Sequence, residues 1–515
     1  MKKPKKITLI LTLAAFFLSL GIFHPPDGRC ISIQEERELS KEFMAYVKAR
    51  YPLITDPVIV EYVNQVGNRI MATIPPQPFT YQFYVVNEPV YNAFATPGGH
   101  IFINSGLFAA MESEQELAGI LGHEIAHVVC RHISQRIEKS KKIGMASLAG
   151  LVVGALLGVG GAGDAAGAVT MGTMAAGQSA SLAYSRENEI QADQIGLDFL
   201  TQAGYSGEGL LTALKKIRGK QWYGSEQIPT YLNTHPASED RMSYLDNWLH
   251  HTRRQSAPRR PETGRFRLAH TRLVALYTDT RTATEYFRSQ LSQSPKDAMA
   301  RYGYALVLTR ENRWAEAISH MQQAIEGNAM ATDMLQDLGM FYFHNGQYEQ
   351  AVNTLSASRS KKYPQGLLYL GRSQLELGQL ADARETFQDL VADHEDYAQA
   401  CYYLGETSGR LGDMFDAHYY LGRFYLLKQD LKNADFHLKR AMTLARTDAE
   451  KAQASAQLRH LSPEKDNKKT DAEDSGNAGN KPDGKRSERF GFLFKENHPP
   501  SSVVTKIPAA SCSRR

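Results

Sequence analysis

Small residues recur in register every 34 residues, at Ala283, Ala317 and Ala351. Gly339, Gly371 and Gly405 mark helices spaced 32 and then 34 residues apart, and Gly346, Gly378 and Gly412 follow each by seven residues, where such a helix should end. Trp314, Tyr348 and Leu380 supply a large side chain after the break. A unit of this length is one helix pair, too small to bury its own apolar face. Stacked neighbours bury it, so this part of the chain is predicted to form an α-solenoid. Pro295 closes the first, degenerate unit. Leu421-Gly422 opens another glycine-marked helix only 17 residues after Gly405, so one helix serves two overlapping repeats that end near Ala434 and Ala441. The reading is four full repeats plus the overlapping one, over residues 264–460.

This pattern resembles the tetratricopeptide repeat, which implies a platform for binding other proteins. With 515 residues the chain has room for two or three domains. A formal net charge of +4 is weak for this length and gives no support to nucleic-acid binding, which needs a strongly basic face. The four cysteines, Cys30, Cys130, Cys401 and Cys512, lack C-x-x-C spacing, so a metal here would be held by His and carboxylate ligands.

The N-terminus carries Lys2, Lys3, Lys5 and Lys6, then an uncharged run from Ile7 to Phe23. That is the pattern of a secretory signal over residues 1–30, and cleaved peptide and uncleaved inner-membrane anchor both stand. Either way the rest of the chain is expected outside the cytoplasm. Residues 251–263 are basic and contain proline, and read as a linker; residues 461–515 are polar and read as a disordered tail.

Residues 31–250 form the remaining domain. Ile31 to Arg69 reads as helical. Tyr81 to Val86 reads as a strand, and Asn92 to Asn104 as a β-hairpin turning at Pro97-Gly98-Gly99. The hairpin offers an edge for an extended substrate, with an internal sheet strand as the plain alternative. Ser113-Glu114-Gln115-Glu116 is a capping box that opens a helix running to about Arg131, and Ser185 to Ala203 reads as another helix. Between them a Gly- and Ala-rich region over 143–183 reads as a buried or surface-seeking helix pair, which would give peripheral membrane contact; a membrane span is the alternative.

The chemistry centres on His123-Glu124-Ile125-Ala126-His127. The two His lie about 40° apart around a helix, so both imidazoles face one point and suit a tetrahedral zinc. Glu124 lies about 100° from His123, beside the metal, where it can take a proton from an activated water and pass it to a leaving amine. A third ligand must come from elsewhere. Glu189 and Asp193 share one face of the 185–203 helix: Glu189 can complete the zinc shell, and Asp193 can accept from the far nitrogen of a ligand His. Glu187 competes but lies about 200° from Glu189. His132, about 140° from His127 on an ideal helix, should point away. Arg186 and Arg241 read either as partners of carboxylates near the site or as solvated.

His123-Glu124-x-x-His127 followed by Glu189-x-x-Ala192-Asp193 resembles the gluzincin peptidases related to the CAAX prenyl protease and the heat-shock membrane protease HtpX. The resemblance implies one zinc per chain on His123, His127 and Glu189, with Glu124 as catalytic acid/base. It also implies a mainly α fold: an α+β zincin domain with a small sheet, then the α-solenoid of tetratricopeptide repeats. Asn92-Ala93-Phe94-Ala95 resembles the strand before the zinc helix. Thr234-His235-Pro236 matches a position where, in this family, a His can act as fourth ligand and close the site. Three readings of His235 stand: a latch on zinc, a hydrogen-bond donor to the tetrahedral intermediate, or a turn residue. Signal, protease and repeats together resemble the exported members of the family. They imply a periplasmic endopeptidase acting on misfolded or stalled envelope proteins, with chaperone or quality-control roles in outer-membrane protein assembly and contact with the assembly machinery through the repeats. The alternatives are a repeat-based scaffold whose protease stays latched, and a membrane-embedded CAAX-type peptidase.

Overall fold

The computed structural model describes residues 31–139, 184–222, 230–236, 239–252, 264–326, 331–358 and 363–461. The signal or anchor over 1–30, the Gly- and Ala-rich region over 143–183, most of the linker and the tail beyond Leu461 lie outside the described residues. What is described is mainly helical with one three-stranded sheet.

The stretch read as one helical run from Ile31 is two helices, α1 (Ile33–Arg50) and α2 (Pro57–Met71). Pro52 forbids the continuation: it drives Tyr51 out of the helical region, to φ −118° and ψ 129°. Asp56 then caps α2, accepting from the backbone N–H of Val58 and Ile59, with Pro57 in the first turn where its missing N–H costs nothing.

The sheet comprises β1 (Gln82–Val86), β2 (Ala93–Thr96) and β3 (His100–Asn104) in the order β1-β3-β2. The hairpin is β2 with β3, Phe94 opposite Phe102, and Gly98 and Gly99 take the positive φ its turn requires. β1 runs parallel to β3 on the other side, Tyr84 opposite Phe102, and the rings of Tyr84, Phe102 and Phe94 stack across the sheet.

After α3 (Ser105–Ala109) comes the central helix α4 (Glu114–Val129), buried along nearly its whole length. Ser113 caps it, but only half of the capping box forms: Glu116 turns to Lys216 instead, at 2.9 Å. Next come α5 (His132–Lys139), α6 (Arg186–Gln202), α7 (Glu208–Trp222), α8 (Thr230–Thr234) and α9 (Glu239–Thr252). Helix α6 reaches α4 through glycines. A Cβ on Gly196 would sit 3.0 Å from the Gly122 carbonyl oxygen and 3.3 Å from the His123 Cα. That contact sets α6 directly against the His123 turn.

Twelve helices follow: α10 (Gly264–Tyr277), α11 (Thr280–Gln293), α12 (Ala298–Arg310), α13 (Trp314–Ile325), α14 (Ala331–His344), α15 (Tyr348–Ala357), α16 (Pro364–Glu376), α17 (Leu380–Asp393), α18 (Ala398–Arg410), α19 (Met414–Leu427), α20 (Leu431–Leu444) and α21 (Asp448–His460). Gly405 of α18 faces Leu421 of α19, and Gly422 of α19 faces Leu438 of α20, so α19 packs on both neighbours. Helix α10 belongs to two cores: Phe266, Ala269 and Leu273 join the sheet-containing core, while Leu268, Val274 and Ala275 join that of the first repeats. Its Arg272 is buried at the junction. It pairs with Asp56 at 2.6 Å on one side and with Asp337 and Tyr302 on the other.

Candidate metal centre

Helix α4 carries His123, Glu124 and His127, and α6 carries Glu189 and Asp193, across the glycine contact. His235 follows α8 directly. The structure brings all six together: Glu189 is 2% exposed and the other five are 0%. One ligand atom from each of His123, His127, Glu189 and His235 lies within 4.8 Å of the others. His123 Nε2 is 3.0 Å from His127 Nε2, 3.5 Å from Glu189 Oε2 and 3.4 Å from His235 Nδ1. Glu189 Oε1 is 3.4 Å from His127 Nε2 and 3.1 Å from His235 Nδ1. Donors about 2.0–2.1 Å from a tetrahedral ion stand roughly 3.3 Å apart, so this donor set suits a metal ion.

Glu124 stands beside the four donors, and both its carboxylate oxygens are buried with no hydrogen-bond partner. His235 turns its other nitrogen, Nε2, toward Glu124 at 3.7 Å. An ionised carboxylate buried in this way needs a partner. A water held between Glu124 and a cation would supply one, and this too fits a metal.

The surroundings orient the donors. His123 Nδ1 lies 2.9 Å from Asp193 Oδ1. Arg241 of α9 is buried and donates to both carboxylates of α6, at 2.5 Å to Glu189 Oε2 and 2.7 Å to Asp193 Oδ1. Of the two readings of Arg241, the structure has the paired one; Arg186 and Glu187 are exposed at the start of α6. Burial presses the Glu189 and Asp193 carboxyls upward, yet Arg241 and the facing histidines outweigh it, so both lie below the usual carboxylate range. Burial and Arg241 press His123 down, but its hydrogen bonds to Asp193 and Glu189 prevail and hold it up at about 9. His127, with no carboxylate on its far nitrogen, is pushed well below its ordinary value by burial.

Several residues near the site had no role in the sequence reading. Tyr184 stacks on the His127 ring at 3.9 Å and Tyr231 on the His235 ring at 4.5 Å. The Tyr231 N–H donates to the Tyr91 carbonyl, tying α8 to the chain that enters β2. His132 comes within 3.0 Å of His127 because α4 does not continue through it: Arg131, at φ 55°, breaks the helix, and α5 starts at His132 in a new direction. The sequence offered no sign of that break. β2 pairs with β3 on one side and with no other strand among the described residues.

Residues 60–249 match peptidase family M48, and residues 262–331 and 365–397 match tetratricopeptide repeats. The chain is similar to the β-barrel assembly-enhancing protease of Yersinia pestis, 29% identical over 61% of this chain and 65% of that protein. It is similar to the Escherichia coli protein of the same name, 26% identical over 75% of this chain and 79% of the relative. A mitochondrial metalloendopeptidase of Arabidopsis thaliana is 34% identical over 34% of this chain and 33% of its own length. The first of these alignments thus spans just under two thirds of its relative. The donor set and the sequence matches agree, and the chain joins a metalloendopeptidase domain of family M48 to tetratricopeptide repeats.

Proposed function

We propose that the chain is an exported zinc endopeptidase of the bacterial envelope that cleaves misfolded or stalled outer-membrane proteins. Its repeats would select or hold those clients, by chaperone action or by docking to the assembly machinery. One observation carries the reading: a tetrahedral donor set of His123, His127 and Glu189 with the unpartnered Glu124 carboxylate beside it. The names of the curated relatives support the choice of client and of compartment, the periplasm.

Bound zinc would supply Lewis acidity toward a water and a peptide carbonyl. Glu124 takes the proton of the attacking water and returns it to the departing amine nitrogen, forming one C–O bond and breaking one C–N bond. Asp193 fixes the His123 ring so that Nε2 points inward. Arg241 keeps Glu189 and Asp193 ionised. The unpaired side of β2 would hold the substrate backbone in extended form.

His235 fits the latch. Its Nδ1 completes the donor set and its Nε2 faces Glu124, so one ring covers both working groups. Substrate would have to displace it. In the closed state the protein would act chiefly as a repeat-based chaperone, and the two readings become two states of one molecule. His235→Ala should raise proteolysis of an unfolded protein several-fold with zinc content unchanged. Lower turnover at full zinc content would instead make His235 a donor to the tetrahedral intermediate. For the clients, the Glu124→Gln full-length protein should retain envelope proteins on purification from its own cells. Recovery of no envelope protein above the level seen with a variant lacking the repeats would sink the proposal that the repeats hold them.

A further inference from the structure

His123 and His127 are supported differently on their far nitrogens. His123 Nδ1 faces a carboxylate, Asp193, at 2.9 Å. His127 Nδ1 faces a second imidazole, His132 Nδ1, at 3.0 Å, and His132 Nε2 is 2.9 Å from Gln191 Oε1. His132 is 1% exposed. We infer that His132 is a positioning residue for the metal, accepting the His127 Nδ1 proton and handing orientation on to Gln191; this rests on the cluster being a metal centre.

The proton bookkeeping has one solution. His127 turns Nε2 to the cluster, so for that atom to donate a lone pair its proton must be on Nδ1. The facing Nδ1 of His132 must then be bare, which puts the His132 proton on Nε2. The atom opposite that proton is Oε1 of Gln191, an acceptor, so the chain closes without a clash. Reversing any step would put an N–H of His127 into the donor set and lose a ligand. Gln191 lies between Glu189 and Asp193 on α6, so both histidine ligands are steered by the helix that carries the third ligand.

Charge explains why this partner is an imidazole. Glu124, Glu189 and Asp193 bring three negative charges, against one from Arg241 and two from a divalent zinc. The buried sum is zero. A carboxylate in place of His132 would leave an uncompensated negative charge in the interior, at a cost that buried ions rarely recover. A neutral relay orients His127 without adding one. The backbone makes room for it: Arg131 holds its left-handed turn with a guanidinium that donates to Glu36 at 2.8 Å and to the Ile31 carbonyl at 2.5 Å. The N-terminal helix α1 thereby sets the aim of His132.

The test is zinc affinity of the full chain, by competition with a chromophoric chelator, and the visible spectrum of the Co2+ form. His132→Ala should weaken zinc about 10- to 100-fold and alter the Co2+ bands. His132→Asn, whose amide oxygen can stand where Nδ1 stood, should recover most of that loss. Should the Ala variant unfold, Gln191→Leu decides: removing the acceptor of the His132 proton should weaken zinc by a few-fold. Wild-type affinity in His132→Ala, or in Gln191→Leu where that variant decides, overturns the inference. A wild-type chain that binds no zinc, or a His127→Ala chain that binds it normally, would instead remove the metal-centre reading beneath it.

Discussion

Two arginines in this chain are each buried between two carboxylates. Arg272 bridges Asp56 of the M48 domain and Asp337 of the repeats, and Arg241 bridges Glu189 and Asp193. The first node closes on itself: Tyr302 donates to Asp337 at 2.7 Å, and the Arg272 guanidinium is spent on its neighbours. The second does not. Its carboxylates also face His123, His127 and His235, and Glu124 stands alongside with both oxygens unpartnered. One arginine against three acidic side chains leaves a formal charge of two minus, which a divalent cation cancels. The same ionic triad is a clamp between domains in one place and one wall of a cation site in the other, and the surplus of buried negative charge tells them apart.

The largest expected contrast follows from that surplus. Arg241→Met and Arg272→Met should each destabilise the metal-free chain by about 3–5 kcal/mol, because each strands two buried carboxylates. Added zinc should restore part of the loss in Arg241→Met, since the ion replaces the missing positive charge, and none of it in Arg272→Met. Denaturant unfolding with and without zinc measures both. Equal recovery in the two variants would erase the distinction.

A smaller contrast lies in pH. Asp193 has a lowered native pKa, so its ionised form stabilises the fold above the unfolded value of about 4, and that contribution is lost as pH falls through the native one. Burial pushes Asp337 the other way, above its ordinary value, despite Arg272 and Tyr302. Its contribution is present at low pH and lost as pH rises through the raised value. Asp193→Asn should therefore cost about 1–3 kcal/mol at pH 7 and less near pH 3. Asp337→Asn should cost under about 1 kcal/mol and improve relative to wild type between pH 4 and 7. Unfolding curves across this range would show slopes of opposite sign.

The mildest contrast is steric. Gly196→Ala would press a methyl onto the Gly122 carbonyl and the His123 Cα, and should cost about 1–3 kcal/mol with weaker zinc binding. Gly409→Ala in α18 meets only Ala417, at an ordinary 3.5 Å, and should be neutral or stabilising by up to about 1 kcal/mol. Thermal unfolding of the two variants separates these outcomes.

What could be read in advance follows the range of the forces involved. His123, His127, Glu189 and Asp193 announce themselves by four-residue spacing, because one helical turn fixes which side chains share a face. The repeats do so by a period longer than any one helix. Arg241 has no such signal: it reaches Glu189 and Asp193 from another helix, and nothing in Glu239-Asp240-Arg241 marks it as buried. His132 was expected to point away because an ideal helix was extended through Arg131, whose left-handed turn depends on Glu36, far off in sequence. Pro52 did carry the signal for the α1–α2 break. The pairing of β1 with β3 was not legible, since a parallel neighbour depends on packing across the sheet and not on a local turn.

The central claim is that Glu124 works beside a zinc held by His123, His127 and Glu189. The most direct measurement is zinc content together with cleavage of an unfolded outer-membrane β-barrel protein, made on His235→Ala and on His235→Ala with Glu124→Gln added, so that closure by His235 cannot mask the result. The account predicts one zinc per chain in both proteins and cleavage slowed by about 10²–10⁴-fold when Glu124 is replaced. Equal cleavage by the two proteins, or cleavage by a chain that holds no zinc, would contradict it.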